Sequence, residues 1–531
     1  MRIFYFLPFT LLALGLAGCQ EKAEDLPVAT LAATKGALST QQLDDYIYAK
    51  LRQDNQFEWS QAPDHVIWSA LTRSDYVLSV GFQPGDASGN APLPADLAKN
   101  KAWQEAREQV LEMIFEEERK SQPGLSKEKL IVFDENVLPV LDVEVHSLST
   151  VQRLRQSKLV RYAEPMGYEP KGSPSKGANP NGRTESSILQ LGCGNNTPNP
   201  NIQAGTDYVE INTPDGSRVK SSWNQANNFH GIRTSWTQST GAGVKIMIID
   251  SGCSDAQENL GNQFNQGQSS GRTIERLVTL PRGSFLGIQG PVETFNDLCG
   301  HGTSMAGACA GPRGTDGASV GIAYNSNLIT VRAAADVLID ESREVKGVSD
   351  AFILAGNRSD VRIISMSMGK LTSSSQMRDA IQYAYARGKL FFCAAGTSLD
   401  WIAEFIGVTY PATLAEAVAV TGIKDNLTQR CAECHQGPKV DFTVVMEQSV
   451  SNRHVLTLAM SGDAPSTVGG SSVATASMAG MAAIVWSRYP NETREQIMAR
   501  LVAASSNAGN RHPNLGWGRV NVAAAVGAFV Q

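Results

Sequence analysis

Long hydrophobic runs, basic clusters and acidic clusters are all scarce in this chain, and each scarcity excludes something. The 531 residues carry 46 Lys and Arg against 52 Asp and Glu, a formal net charge of -6. No run of five or more basic residues occurs, which sets a nucleic-acid partner aside. The one long apolar stretch, Ile3 to Ala17, falls short of the roughly 20 residues that a membrane-spanning helix needs. No acidic cluster shows the spacing of a calcium loop, so no metal is expected. Charged residues make up 18% and hydrophobic residues 42%, a soluble globular balance in a chain long enough for two or three domains.

The short apolar stretch has a different use. Arg2 precedes it and Leu16-Ala17-Gly18-Cys19 ends it, the shape of a secretory signal closed by small residues. The ending resembles the lipobox of bacterial lipoproteins, which implies a lipidated Cys19 as the first mature residue, and Gln20 after it implies the outer membrane. A plain signal peptide with a chance cysteine is the alternative. Export permits disulfides among Cys193, Cys253, Cys299, Cys309, Cys393, Cys431 and Cys434, and an odd number leaves at least one thiol over unless chains pair.

Further along, TQQLDDYIYAKLRQ reads as a helix, and from Asp75 the pattern becomes regular. YVLSVGF, KLIVFDE, LPVLDVEV and LVRYAEP read as strands, with KAWQEAREQVLEMIFEEERKS and TVQRLRQS as helices between them, the second capped by Thr150. The order β-α-β-β-α-β predicts an α+β, ferredoxin-like unit over 75–168. Gly, Pro, Ser and Asn then dominate a linker within 169–222. Beyond it VKIMIID, LITVRAA, VRIISMSM, KLFFCAA and AVAVTGI alternate with helices such as SSSQMRDAIQYAYARG, where Gly388 is placed to end the helix. That alternation predicts an α/β domain with a doubly wound, mostly parallel sheet, whose ligands sit at the carboxyl ends of the strands.

Three short motifs follow those strand ends. Asp250-Ser251-Gly252 closes VKIMIID, GHGTSMAGACAG places His301 at the start of a small-residue helix, and GGSSVATASMAG does the same for Ser471 and Ser472. Each alone reads as a turn or a tightly packed helix. Together they supply what nucleophilic catalysis needs: a serine to attack, a histidine to take and return its proton, and a carboxylate to orient the imidazole. A serine beside unpaired helix N–H groups is also well placed for a developing oxyanion.

With IIDSG, GHGTSMAG and GSSVATASMAG in place, residues 223–526 resemble the subtilisin-like serine proteases, the subtilases. The resemblance implies Asp250, His301 and Ser472 as the triad, with Ser471 one position before the nucleophile. It implies an oxyanion site shared between Ser472 and residue 397, and a substrate cleft walled by Ser367, Met368 and Gly369 on one side and Ala394, Ala395 and Gly396 on the other. SMSMG at 365–369 is similar to the strand along which the family pairs its peptide substrate, and the unit at 75–168 is similar to its inhibitory propeptide. The implied organisation is a signal at 1–18, a lipidated segment at 19–74, a propeptide at 75–168, an activation region at 169–222 and a catalytic domain at 223–531. The implied protein is an exported, self-processing endopeptidase acting on proteins or peptides.

One position departs from the family pattern. After Ala394-Ala395-Gly396 the family has Asn, and this chain has Thr397. A hydroxyl donates one hydrogen bond, reaches less far than an amide and can turn to its own backbone. Thr397 is also what supports a rival reading, a subtilase fold kept as a surface binding module. No cofactor is expected. Calcium, which many subtilases bind, stays open, and CAECH (Cys431, Cys434, His435) fits c-type haem attachment but reads more simply as a local disulfide or thiol pair.

Overall fold

The computed structural model describes residues 36–86, 97–170, 193–194, 196–212, 216, 218–285, 288–398 and 406–528; Cys19 and the linker residues 171–192 lie outside them. The first elements are helices α1 (Thr40–Asp54) and α2 (Asp64–Thr72). Next come strand β1 (Val77–Phe82), helix α3 (Lys101–Glu118), strands β2 (Ile131–Phe133) and β3 (Val140–Glu144), helix α4 (Leu148–Gln156) and strand β4 (Val160–Pro165). The four strands form one antiparallel sheet in the order β2-β3-β1-β4.

Successive side chains of a strand point to opposite faces, so this sheet has two burials to satisfy. One face, with Leu78, Val80, Leu141 and Val143, packs with Leu43, Ile47 and Leu51 of α1 and Val66, Ile67 and Leu71 of α2. The N-terminal helices therefore share a core with the sheet. Thr150 does not cap α4: Ser147 holds the cap position without a side-chain bond, and Thr150 lies inside the first turn. Glu118 supplies the missing acceptor, taking the N–H groups of His146 and Ser147 at 3.1 Å each and the Thr150 hydroxyl at 2.5 Å.

The larger body is built on seven parallel strands: β5 (Lys245–Asp250), β6 (Ile274–Val278), β7 (Asn327–Arg332), β8 (Val361–Met366), β9 (Leu390–Ala394), β10 (Ala417–Lys424) and β11 (Phe442–Glu447). They are ordered β11-β10-β9-β8-β5-β7-β6. Along β5, Ile246 and Ile248 join a core with α5 (His301–Ala310) and α8 (Gly470–Arg488), while Met247 and Ile249 join one with α6 (Ser342–Asn357) and α7 (Ser375–Ala386). Helices on both faces make this the doubly wound α/β fold that the alternation predicts. Gly388 follows α7 in the left-handed conformation at φ 79° and donates to Tyr385 O at 2.9 Å.

The other face of the small sheet lies on this body. Val140 and Tyr162 pack with Val345 and Val348 of α6 and Met377 and Ile381 of α7. Carboxylates fix the register: Glu164 accepts from the Ser375 N–H and hydroxyl, both at 2.8 Å, at the first turn of α7, where anions are favoured. Arg161 grips Asp379 at 2.6 and 2.8 Å. Glu169 accepts from Leu371 N–H at 2.8 Å and pairs with Lys370 at 3.3 Å. The segment after α1 adds a second hold, with Ser373 N–H donating to Phe57 O at 3.0 Å and Trp59 N–H donating to Ser373 Oγ at 3.1 Å.

Candidate active site

Asp250 is the last residue of β5 and 1% exposed. Its Oδ1 accepts from His301 Nδ1 at 2.7 Å and from Ser251 N–H at 2.8 Å. His301 opens α5, and the glycine after it is a packing requirement: a Cβ on Gly302 would meet Gly252 O at 2.3 Å. Burial is the largest influence on the imidazole and disfavours its charged form. The Asp250 charge and hydrogen bond, helped by Asp297 and Asp336, outweigh it and raise the pKa above the ordinary value.

Asp297 is the residue the sequence reading missed. Fully buried, it accepts from Cys299 N–H at 3.0 Å, Gly300 N–H at 2.7 Å, Thr303 N–H at 2.9 Å, Thr303 Oγ1 at 2.7 Å and Ser251 Oγ at 2.9 Å. One carboxylate thus satisfies the start of α5 and ties it to the residue after Asp250, fixing the histidine relative to the strand. The available signal was an acid four residues before the histidine, ahead of a small-residue helix. Cys299 is not free: it is bonded to Cys193, which fastens the chain after the linker beside His301.

Ser472 lies in the first turn of α8, half-buried, two residues after Gly470 at φ 83°. Its hydroxyl donates to Ser367 O at 3.4 Å, and Ser367 Oγ donates to Ser472 O at 3.0 Å. No hydrogen bond joins Ser472 to His301 among the described residues. Ser367 directly follows β8 and Ala395 follows β9, and the pairing of Met366 with Cys393 brings the two candidate cleft walls side by side.

Thr397 is engaged with α8. Its Oγ1 accepts from Ser471 N–H at 3.0 Å and lies 2.8 Å from Ser471 Oγ, which also accepts from Gly396 N–H at 3.2 Å. The CAECH loop backs this corner. Cys431 and Cys434 are joined as a disulfide, His435 N–H donates to Gly396 O at 3.0 Å, and His435 Nε2 is 2.6 Å from Ser398 Oγ. Burial pushes the His435 pKa down to about 4, so the ring is neutral. Gly396, at φ 126°, admits no side chain, because a Cβ would meet the His435 ring at 2.9 Å. Cys253, Cys309 and Cys393 are buried thiols, each held toward its neutral form by burial.

A parallel sheet whose strand ends gather a buried carboxylate–imidazole pair and a serine at a helix start defines an α/β protein of serine-hydrolase type. The chain belongs to the subtilase family, whose profile matches residues 241–518. Among curated proteins it is 26% identical over 277 residues to a subtilisin of a Bacillus species, covering 50% of this chain and 61% of that protein. It is 30% identical over 223 residues to a thermostable alkaline protease of Halalkalibacterium halodurans, covering 41% of this chain and 55% of that protein. Both matches thus span less than two thirds of the relative's length. Among solved structures, a protease of Pseudoalteromonas arctica aligns at TM-score 0.46 with 22% identity, over 58% of this chain and 96% of that one.

Proposed function

We propose that the protein is a serine endopeptidase that hydrolyses peptide bonds of proteins or peptides through Asp250, His301 and Ser472. The observation that carries the proposal is the 2.7 Å bond from His301 Nδ1 to Asp250 Oδ1, which leaves Nε2 as the nitrogen that can take a proton. The mechanism requires the Ser472 side chain to leave Ser367 and its Oγ to reach that nitrogen, since catalytic hydrogen bonds commonly tighten when substrate arrives. Ser472 Oγ then forms a bond to the carbonyl carbon, His301 holds the proton and returns it to the leaving amine, and water repeats the sequence on the acyl-enzyme. In this reading the Ser472 N–H, with the Thr397 hydroxyl as second donor, receives the developing oxyanion, while the Ser471 N–H is held by Thr397 Oγ1.

The unit containing β1 to β4 is, in this reading, a propeptide that assists folding and blocks the cleft until the linker is cut. Its support is the buried face it lays on α6 and α7 and the helix-capping Glu164. Cys19 carries the lipid and the chain resides in the bacterial outer membrane; cleavage after the unit would free the catalytic body from that anchor. Membrane fractionation of wild type and Ser472→Ala tests this: an active wild type that stays full length and membrane-bound contradicts it. The binding-module reading draws on one observation, the use of the Thr397 hydroxyl by Ser471. A fluorophosphonate probe separates the two, labelling the enzyme at Ser472 and leaving a binding module unlabelled.

A further inference from the structure

The edge along which a peptide would lie ends early. Residues 337–339 run beside Gly369, with Ile339 N–H donating to Gly369 O at 3.1 Å and Gly369 N–H donating to Val337 O at 3.2 Å. Leu338 is thereby bridged to Gly369 as in a parallel pair. An extended peptide on the same edge pairs through every second residue. Ser367 marks the level of the nucleophile, because its carbonyl and hydroxyl both bond Ser472. With the first residue on the N-terminal side of the scissile bond opposite Ser367, the third falls opposite Gly369. Both main-chain groups of Gly369 are already taken.

The catalytic body itself holds this wall in place. Glu344, 2% exposed, accepts from Ala335 N–H at 2.9 Å, Asp340 N–H at 3.1 Å and Glu341 N–H at 3.2 Å, so one carboxylate grips the segment before and after the wall. Asp336 Oδ1 accepts from Leu338 N–H at 2.8 Å and sets the turn between those ends. Arg343 is anchored to Glu293 at 2.6 Å. The N-terminal unit touches the preceding residue, through Ser342 Oγ donating to Asp75 at 2.8 Å, but the grip of Glu344 does not depend on it.

We propose that residues 337–339 limit recognition to two residues on the N-terminal side of the scissile bond, the substrate chain leaving the groove beyond them. The substrate class is then peptides chosen by those two residues, with no gain from extending the chain further. The inference rests on Ser472 being the nucleophile. Its test is a series of acetylated peptide nitroanilides with one to four residues before the scissile bond, assayed with the processed wild-type protein. kcat/KM should rise from one residue to two and then change by less than about threefold, since a contact that is never made cannot stabilise the transition state. A rise of about tenfold or more on adding the third residue overturns the proposal.

Glu344→Gln provides the second arm. It puts an amide donor where one carboxylate oxygen accepted N–H groups, loosening the wall, so the third residue should now raise kcat/KM by about tenfold. A series that stays flat in Glu344→Gln means that something other than the wall sets the limit, and the proposal falls. Failure of the underlying function looks different: no peptide of any length is cut, and the fluorophosphonate leaves Ser472 unlabelled, which overturns both.

Discussion

Thr397 Oγ1 accepts the Ser471 N–H at 3.0 Å, so the side chain proposed as an oxyanion donor is also a cap on the helix that carries Ser472. Two roles in one hydroxyl separate by substitution. Thr397→Val keeps the shape and removes both; kcat should fall about a hundredfold, the lower end for losing an oxyanion donor, and stability by about 1 kcal/mol for the lost cap. Thr397→Asn offers a carbonyl to Ser471 and a fixed amide donor to the oxyanion, and should raise kcat by up to about tenfold. Steady-state kinetics check both, and a fall in kcat for the Asn variant would show a site built around the threonine.

The pH profile reports on His301. Its pKa is raised above 6.5 because the Asp250 charge and hydrogen bond, with Asp297 and Asp336, overcome a larger burial effect in the opposite direction. A general base must be neutral, so kcat/KM should fall as pH drops through a value above 6.5 and level off on the alkaline side. Asp250→Asn should lower kcat by about ten-thousandfold and move that acid limb to lower pH. A limb that does not move would mean that another group titrates.

The two disulfides should differ in what they stabilise. Cys193–Cys299 spans 106 positions and Cys431–Cys434 spans 3. Loop-closure entropy assigns the first about 5 kcal/mol and the second about 2 kcal/mol. Cys193→Ser should therefore lower the denaturation midpoint substantially. Cys431→Ser should lower it less and reduce kcat more, because its loop supports Gly396 through His435. Denaturant titration beside kinetics separates the two.

Docking of the N-terminal unit should depend on pH through Asp142. That carboxyl is fully buried, accepts from Gln376 Nε2 of α7 at 2.9 Å, and is raised from 3.8 to about 7, with burial as the leading cause. Glu164 and Glu169 are raised for the same reason. Groups whose pKa rises on docking favour the docked state at acid pH, and that contribution is lost as pH climbs through the raised value. After cleavage the unit should dissociate more readily above pH 7 than at pH 5, and Asp142→Asn should flatten the difference. Size-exclusion chromatography across that range measures it.

Much of this was legible in residues alone, for physical reasons. Strands such as VKIMIID and KLFFCAA sit inside the sheet and are apolar throughout, so their pattern is strong. Ile274–Val278, with the sequence IERLV on the sheet edge, carries charges and was missed. The pairing of Asp250 with His301 follows short motifs, whereas Asp297 acts through five hydrogen bonds that converge from Ser251, the loop before α5 and Thr303 in its first turn. The partner of α1 was invisible because its core residues meet β1 and β3 only after folding. Gly369 read as open substrate edge, and the segment that occupies it lies some thirty positions earlier in the chain.

The central claim is that Ser472 is a nucleophile activated by His301. Fluorophosphonate labelling of the purified, processed protein, followed by mass analysis of the modified peptide, tests it most directly. The account predicts stoichiometric labelling at Ser472 in wild type, none in Ser472→Ala and strongly slowed labelling in His301→Ala. Wild-type protein that stays unlabelled at neutral to alkaline pH, or that is labelled at another serine, would contradict it.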